Sequence, residues 1–474
     1  MKRTITVILI LLLAAAGYFG LRYYQDTYLA TKHGIYRQDI RKLDLSGVEE
    51  PDLEQIRTLT SLKTLDLRDT GLSVAEYEQL QKALPECKIL WQVPIQGQYL
   101  ELDATELKID ALTLEELTSL QYLPKLQKIS AEDCADLDIL MELKETHPAI
   151  QVDYLVSIGK KTVSGDAEDI TGCDAPVSEL MEKLKYLPKL KKLSLAIAEP
   201  DNEETYSLVQ AYPNMKIRWN VEICGRRFTS LIRELDLSGT QMENVADVEN
   251  SLKYFPNLER VIMCDCGIPS EEMDALWKRN PEIRFVWSVK IANRTVRTDV
   301  TTFMPYQYGI AQLRNRDAQE MKYLVDVMCM DLGHMGITDL SFLRYMPDLE
   351  YLIVADCGIT DISPMEGLTK LKYLEAFKNR IRDISVLATC TSLRDLNVCY
   401  NKIRDFSPLY ELEHIEHLWI MDNYVNNYTR DILEEKFPDA TIMYHTYSST
   451  GNGWRQIPGY YEQRDLLGMW YMTG

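Results

Sequence analysis

The sequence predicts an α/β solenoid, a curved parallel sheet with helices and short turns on its convex side, preceded by one N-terminal transmembrane helix. Three observations carry that expectation. Apolar residues recur every 22 positions in the C-terminal third, a longer unit of about 64 residues recurs before it, and an uncharged apolar run follows the first three residues. A fixed period marks a chain built from stacked supersecondary units, each of which buries its apolar face only against its neighbours.

Taken in chain order, Met1-Lys2-Arg3 form a basic tip ahead of residues 4–21, which contain no charge and include the stretch ILILLLAAA. As a helix this run is about 27 Å long at 1.5 Å per residue, close to the thickness of a bilayer core. The basic tip favours a cytoplasmic N-terminus and places the rest outside the cytoplasm. The expectation is a tip over 1–3, a signal anchor over 4–21 and a stalk over 22–36. Ala14-Ala15-Ala16 resembles a small-residue cleavage site, which keeps a cleaved, secreted form as the alternative. No lipobox cysteine follows.

Four long units are expected over 37–296. IRKLDLSG at residues 40–47 returns as IRELDLSG at 232–239, with two degenerate copies between them. Leu62, Leu126, Leu190 and Leu258 open the middle strands, and Trp91, Tyr154, Trp219 and Trp287 mark a closing strand. Around Trp219 the residues Ile217, Val221 and Ile223 alternate with Lys216, Arg218, Asn220 and Glu222, the period-two pattern of a strand with one buried face. Gly97, Gly159, Gly225 and Asn293 follow as turn signals, so a hairpin should leave each unit. Ser73 to Leu84 and Ser270 to Arg279, with acidic residues in their first turns, predict helices. Residues 297–326 fit neither repeat and read as a linker or an insertion.

Over 327–436 the shorter repeat takes hold. Val327, Leu349, Leu371, Leu393 and Ile415 are spaced by 22, and each opens an L-x-x-L-x-L-x-x-N-x-I frame. Alternate strand residues point inward, after which the chain turns and leaves backbone groups that need partners. Asn379, Asn401 and Asn423 stand at that turn, with Cys357 in the same slot one coil earlier. These segments, ITDISPMEGLTKLKYL and IRDFSPLYELEHIEHL among them, resemble the 22-residue repeats of bacterial internalins. The long units are similar to the ribonuclease-inhibitor style of repeat, apart from their Trp-marked closing strand. The resemblance to the leucine-rich-repeat superfamily implies a leucine-rich-repeat solenoid. For the internalin-like part it also implies a surface protein that binds other proteins. No LPxTG sorting signal and no cysteine-rich flanking cap accompany it.

Composition narrows the partners. With 72 acidic against 52 basic residues and a net charge of -20, the chain lacks the clustered cations that phosphate recognition needs, so no nucleic-acid role is expected. The ten cysteines show no compact spacing and no CxxC pair. They read mainly as small buried thiols, with disulfides the alternative. Cys134, Cys266 and Cys357 each follow an aspartate at the turn after a strand.

Between the inward leucines, strand residues face the concave side. The candidate ligand surface is therefore Tyr351, Ile353, Tyr373, Glu375, Phe377, Asp395, Asn397, Tyr400, His417 and Trp419. Rigid aromatics beside polar groups suit a protein or glycan partner; equally, they stiffen a sheet through cross-strand pairs. The tail over 437–474, with Trp454, Tyr460, Tyr461, Trp470 and Tyr471, is expected to cap the open end of the last coil, with peptide docking as the alternative. Basic hairpin residues Lys160, Lys161, Arg226, Arg227 and Arg294 read as solvated charges, or else as contacts to acidic envelope polymers.

No nucleophile elbow, HExxH helix or phosphate loop is present. No catalytic residue, metal or cofactor is expected. The function expected is adhesion or ligand capture by a non-enzymatic, membrane-anchored, extracytoplasmic protein. One alternative is an envelope scaffold that works through its hairpins and tail. Another is a zinc-dependent hydrolase using the HxxH pair His414 and His417.

Overall fold

The computed structural model describes residues 2–445 and 447–469, with backbone alone for residues 2–11. The chain divides into two compact units, residues 1–220 and 221–474, rather than at residue 297 where the repeat type changes.

The first unit begins with a helix, Lys2–Thr27. Among the described residues no helix is long and apolar enough to cross a membrane, and this overturns the expected transmembrane helix over residues 4–21. The side chains of residues 2–11 lie outside the described residues. The expected stalk is instead the end of this helix and a hairpin of Tyr28–Thr31 with Gly34–Arg37.

Three three-coil blocks of parallel strands follow. They are Lys42–Asp44, Thr64–Asp66 and Lys88–Leu90, then Glu106–Lys108, Lys128–Ala131 and Gln151–Ile158, then Asp169–Cys173, Lys192–Leu195 and Lys216–Arg218. The central residue of each short strand points into the coil. Leu43, Leu65 and Ile89 are in register, as are Leu107, Ile129 and Val152, and all six are buried. Capping boxes start two helices here, Ser73 with Glu76 ahead of Val74–Ala83 and Thr113 with Glu116 ahead of Leu114–Ser119. Each box satisfies backbone N–H groups that a helix start leaves free. Antiparallel hairpins leave the first two blocks, at Gln92–Ile95 with Gln98–Glu101 and at Gln151–Ile158 with Lys161–Ser164.

In the second unit, Glu234–Asp236, Arg260–Ile262 and Arg284–Val286 form the fourth block, with a hairpin of Ser288–Ile291 and Arg294–Arg297 behind it. Trp91, Tyr154, Trp219 and Trp287 are all buried at the closing strands. A seven-stranded parallel sheet completes the unit: Thr302–Phe303, Cys329–Asp331, Tyr351–Ile353, Tyr373–Glu375, Asp395–Asn397, His417–Trp419 and Thr441–Met443, side by side in chain order. Leu352, Leu374, Leu396 and Leu418 align across it with no exposure to solvent. The region read as a linker or insertion, 297–326, supplies the first coil instead. Phe303 pairs with Met330, and Leu313, Met321 and Leu324 are buried behind it. Its leucine frame is too degenerate to be recognised by spacing.

The coils are held in step by side-chain amides. Asn401 donates to the carbonyls of Ala376 (3.0 Å) and Val398 (2.9 Å) and accepts from the Ile381 N–H (3.0 Å). Asn379 and Asn423 repeat the pattern one coil to either side. In the same slot, the Cys357 thiol donates to the carbonyls of Leu332 (3.2 Å) and Ala355 (3.3 Å). Each amide spans two coils and satisfies backbone groups that water does not reach.

Asn401→Ala leaves the Ile381 N–H without its partner, while the Ala376 and Val398 carbonyls each keep one bond, from Asn379 and Asn423. It should cost about 1–3 kcal/mol, the cost of one unsatisfied buried group. Urea denaturation should show the loss, and hydrogen exchange should quicken first at the Ile381 amide; unchanged exchange there would rule out the amide as the tie between coils.

Candidate functional site on the concave face

Period-two geometry places the strand residues of this set on one side of the seven-stranded sheet. Tyr351, Tyr373, Asp395 and His417 form one cross-strand row, and Ile353, Glu375, Asn397 and Trp419 form the other. Phe377 stands just past its strand. Tyr400 lies at the turn after its strand, where it shares a left-handed backbone (φ 54°) with Asp356, Lys378 and Asp422 at the equivalent positions of other coils.

The face they form is not open to solvent. Tyr373, Asp395 and Asn397 have 0 % exposure and Trp419 has 1 %, because residues 447–469 lie across the sheet. This strap comprises a short 3-10 turn, Trp454–Gln456, and a helix, Pro458–Leu466. Together with the concave residues it forms a second core of Met304, Cys329, Tyr351, Tyr373, Trp419, Trp454, Ile457, Tyr460 and Leu467 among others. The expected end cap is thus a cover for the concave face. Trp470 and Tyr471, read as part of that cap, lie outside the described residues.

Trp454 is the anchor. Its ring sits 5.3 Å from Tyr373 and 5.2 Å from Trp419, centroid to centroid, and its indole N–H donates to the Glu375 carboxylate at 2.7 Å. The Tyr373 hydroxyl donates to the same oxygen at 2.7 Å, and Arg455 approaches the other oxygen at 3.8 Å. Asn397 donates to the Ser449 carbonyl (2.7 Å) and the Trp419 indole to the Gly451 carbonyl (2.9 Å). Farther along, Glu462 accepts from the Tyr351 hydroxyl (2.7 Å) and from Arg394 (2.8 Å). At the far end Gln307 donates to the Leu467 carbonyl at 2.6 Å.

Sequence reasoning missed Arg394 and Asp331, and it set the tail at the end of the last coil rather than across the face. Arg394 precedes the strand by one residue and so falls outside the alternation that identified its neighbours, yet it bonds both Asp395 (2.9 Å) and Glu462. Asp331 occupies the row of Ile353 and Glu375 one coil earlier. Around it, a cavity of about 220 Å³ between sheet and strap is lined by His334, Glu375, Arg455, Gln463 and Arg464 among others.

Metal chemistry finds weak support in this arrangement. Among the described residues, Asp395, Glu416 and His417 bring ligand atoms within 4.8 Å of one another. However, Arg394 already bonds Asp395 and comes within 3.8 Å of Glu416, and His417 Nδ1 lies 2.6 Å from Asp395. The set is an ion-pair network with its cation in place. His414, the other half of the HxxH pair, is exposed and does not join it. The ten cysteines are free thiols, nine of them buried; burial pushes Cys357 up to about 11 and Cys399 up to about 12, the unreactive range for a thiol.

Residues 369–411 match the family model described as leucine-rich repeats in two copies. The match falls on the coils opened by Leu371 and Leu393. Among solved structures, an internalin of Listeria monocytogenes is similar at 16% identity, with 89% of this chain and 85% of that one covered and a TM-score of 0.25. Internalin C2 of the same organism shows 24% identity over 41% of this chain and 74% of that one, at a TM-score of 0.24. A leucine-rich-repeat protein of Leptospira interrogans shows 15% identity over 86% and 90%, at 0.27. No curated protein sequence matches the chain.

The hydrogen bond from Arg394, with that from Tyr351, holds the Glu462 carboxyl below its ordinary range against the opposing effect of burial. A depressed carboxylate stabilises docking above the ordinary glutamate range, and that contribution is lost as pH falls through the lowered value. Asp331, pushed up by burial, responds in the opposite sense. Strap amides should therefore lose exchange protection in acid, and Glu462→Gln should flatten that loss; an identical acid profile in the variant would refute the assignment.

Proposed function

We propose that the protein is a non-enzymatic binding protein that holds a protein partner on the concave face of its 22-residue coils. One observation supports this reading above the others: the face already accommodates a peptide, residues 447–469, in a bed of aromatic rings and matched charges. Trp, Tyr and Arg side chains in a desolvated pocket are what a protein-binding hot spot is made of. The partner belongs to the same chemical class as the segment that fits.

The scaffold alternative receives less support. Two of its basic hairpin residues are paired within the fold: Lys160 with Asp174 at 3.1 Å and Arg227 with Glu222 at 3.1 Å. Exposure of the coils outside the cytoplasm belongs to the same proposal, as an export reading of the basic tip and the apolar residues behind it.

A photo-crosslinking residue at exposed Lys378, in the turn bordering the concave strands, should capture a partner several-fold better than one at exposed Glu366, on the convex side of the same coils. Equal capture from both positions, or from Glu366 alone, would sink the concave-face reading.

A further inference from the structure

The strap docks as a bound peptide does. In the described residues its backbone hydrogen bonds stay within itself, for example Gln456 N–H to the Gly453 carbonyl and Leu467 N–H to the Gln463 carbonyl. Its polar contacts with the coils all involve a side chain: Asn397 and Trp419 reach its carbonyls, Trp454 and Glu462 reach coil side chains, and Gln307 reaches Leu467. No strand of it joins the seven-stranded sheet. A segment of a repeat fold normally shares ladder bonds with its neighbours. One that is held through side chains alone follows the rules of a helix laid into a groove.

Three strap positions carry the fit. Trp454 fills the aromatic pocket and donates to Glu375. Gly459 passes so close to the sheet that a Cβ there would strike the Asp395 carboxylate and lie 2.9 Å from Arg394 and 3.0 Å from Tyr373. Glu462 closes the ion pair with Arg394 and accepts from Tyr351. In sequence these positions read Trp-x4-Gly-x2-Glu.

We infer that the strap is an occupant in cis of a peptide site, and that the partner is a helix-forming peptide presenting an indole, a glycine and a carboxylate at the Trp454, Gly459 and Glu462 spacing, which competes with the strap for the concave face. This inference rests on the binding function proposed above and specifies its partner. Because the strap is tethered, its effective concentration is of order millimolar, so it masks the site against a dilute competitor. Loosening the strap then exposes the site without altering the coils that form it.

The test uses the full chain and a labelled peptide of residues 449–469. Gly459→Leu forces the strap off the Asp395 and Tyr373 surface, and Glu462→Lys, at a partly exposed position, reverses the charge facing Arg394. Fluorescence anisotropy should show both variants binding the peptide at least tenfold more tightly than the wild-type chain. The same peptide carrying Trp454→Ala should lose at least tenfold. Circular dichroism confirms the fold, and if one variant fails to fold the other supplies the answer. Folded variants that bind no better than wild type would make the strap a fixed part of the fold and overturn the inference. Concentration-dependent dimers of the wild-type chain, formed by strap exchange, would overturn it in favour of a second copy as occupant. Tight peptide binding without preferential crosslinking from Lys378 would instead count against the partner-binding function and leave the peptide site standing. Crosslinking without peptide binding would defeat this inference alone.

Discussion

A chain that turns sharply every 22 residues must find partners for the backbone groups it leaves inside, and the rest of the second unit depends on how it does so. Asn379, Asn401 and Asn423 each reach carbonyls of two successive coils, so one side chain both completes its own turn and fixes the next coil in register. That register aligns Leu352, Leu374, Leu396 and Leu418 in one interior and, on the opposite side, the two rows that form the concave wall. A slip by one residue would put Tyr351, Tyr373, Asp395 and His417, or the row of Ile353, Glu375, Asn397 and Trp419, where the leucines stand. The wall is therefore as well defined as the core behind it.

A wall built this way holds groups that are costly to bury. Glu375, Asp395 and Asn397 are all buried under the strap, and a buried charge is tolerable only when paired and hydrogen-bonded. Each has its partners: the Tyr373 hydroxyl and Trp454 indole for Glu375, Arg394 and His417 for Asp395, and the Ser449 carbonyl for Asn397. Two of these three sets include the strap. Complementarity of this kind limits what can sit on the face, because an occupant lacking a donor for Glu375 leaves a desolvated carboxylate short of a bond. For the proposed binding function, selectivity would follow from the cost of the wrong occupant as much as from attraction to the right one.

The sequence made one scale of this structure readable and left another hidden. Period-22 spacing and period-two alternation are local, so Leu352 and Tyr373 could be assigned to opposite faces from their neighbours alone. The Trp-marked closing strands were equally plain, since Trp91 and Trp287 each stand within an alternating run that Ile95 and Ile291 end ahead of a turn. Contacts between segments far apart in the chain leave no such mark. Nothing within a few residues of Trp454 indicates that its indole meets Glu375, 79 positions earlier. Arg394 escaped notice because it lies one residue outside the strand, where alternation has no power. The first coil at Thr302–Phe303 was concealed by the loss of its leucine frame, and the N-terminal run was judged by its lack of charge, although among the described residues no helix is long and apolar enough to cross a membrane.

The path of the strap follows from the same side-chain logic. A cap would cover the last strand, Thr441–Met443, whose residues stay exposed or half-buried. The helix before that strand, Asn427–Lys436, is secured by the Asn426 side chain at its start and by buried Leu433. The strap turns away from this edge and runs back across the sheet to Gln307, beside the first coil. Edge pairing would offer only backbone bonds, which any extended segment can make. Running across the face gives Trp454 an aromatic pocket, Gly459 a surface that no larger residue could approach, and Glu462 an arginine. The route taken is the one that uses the identity of the strap's residues, and a site that selects by residue identity discriminates among peptides in a way that an open strand edge does not.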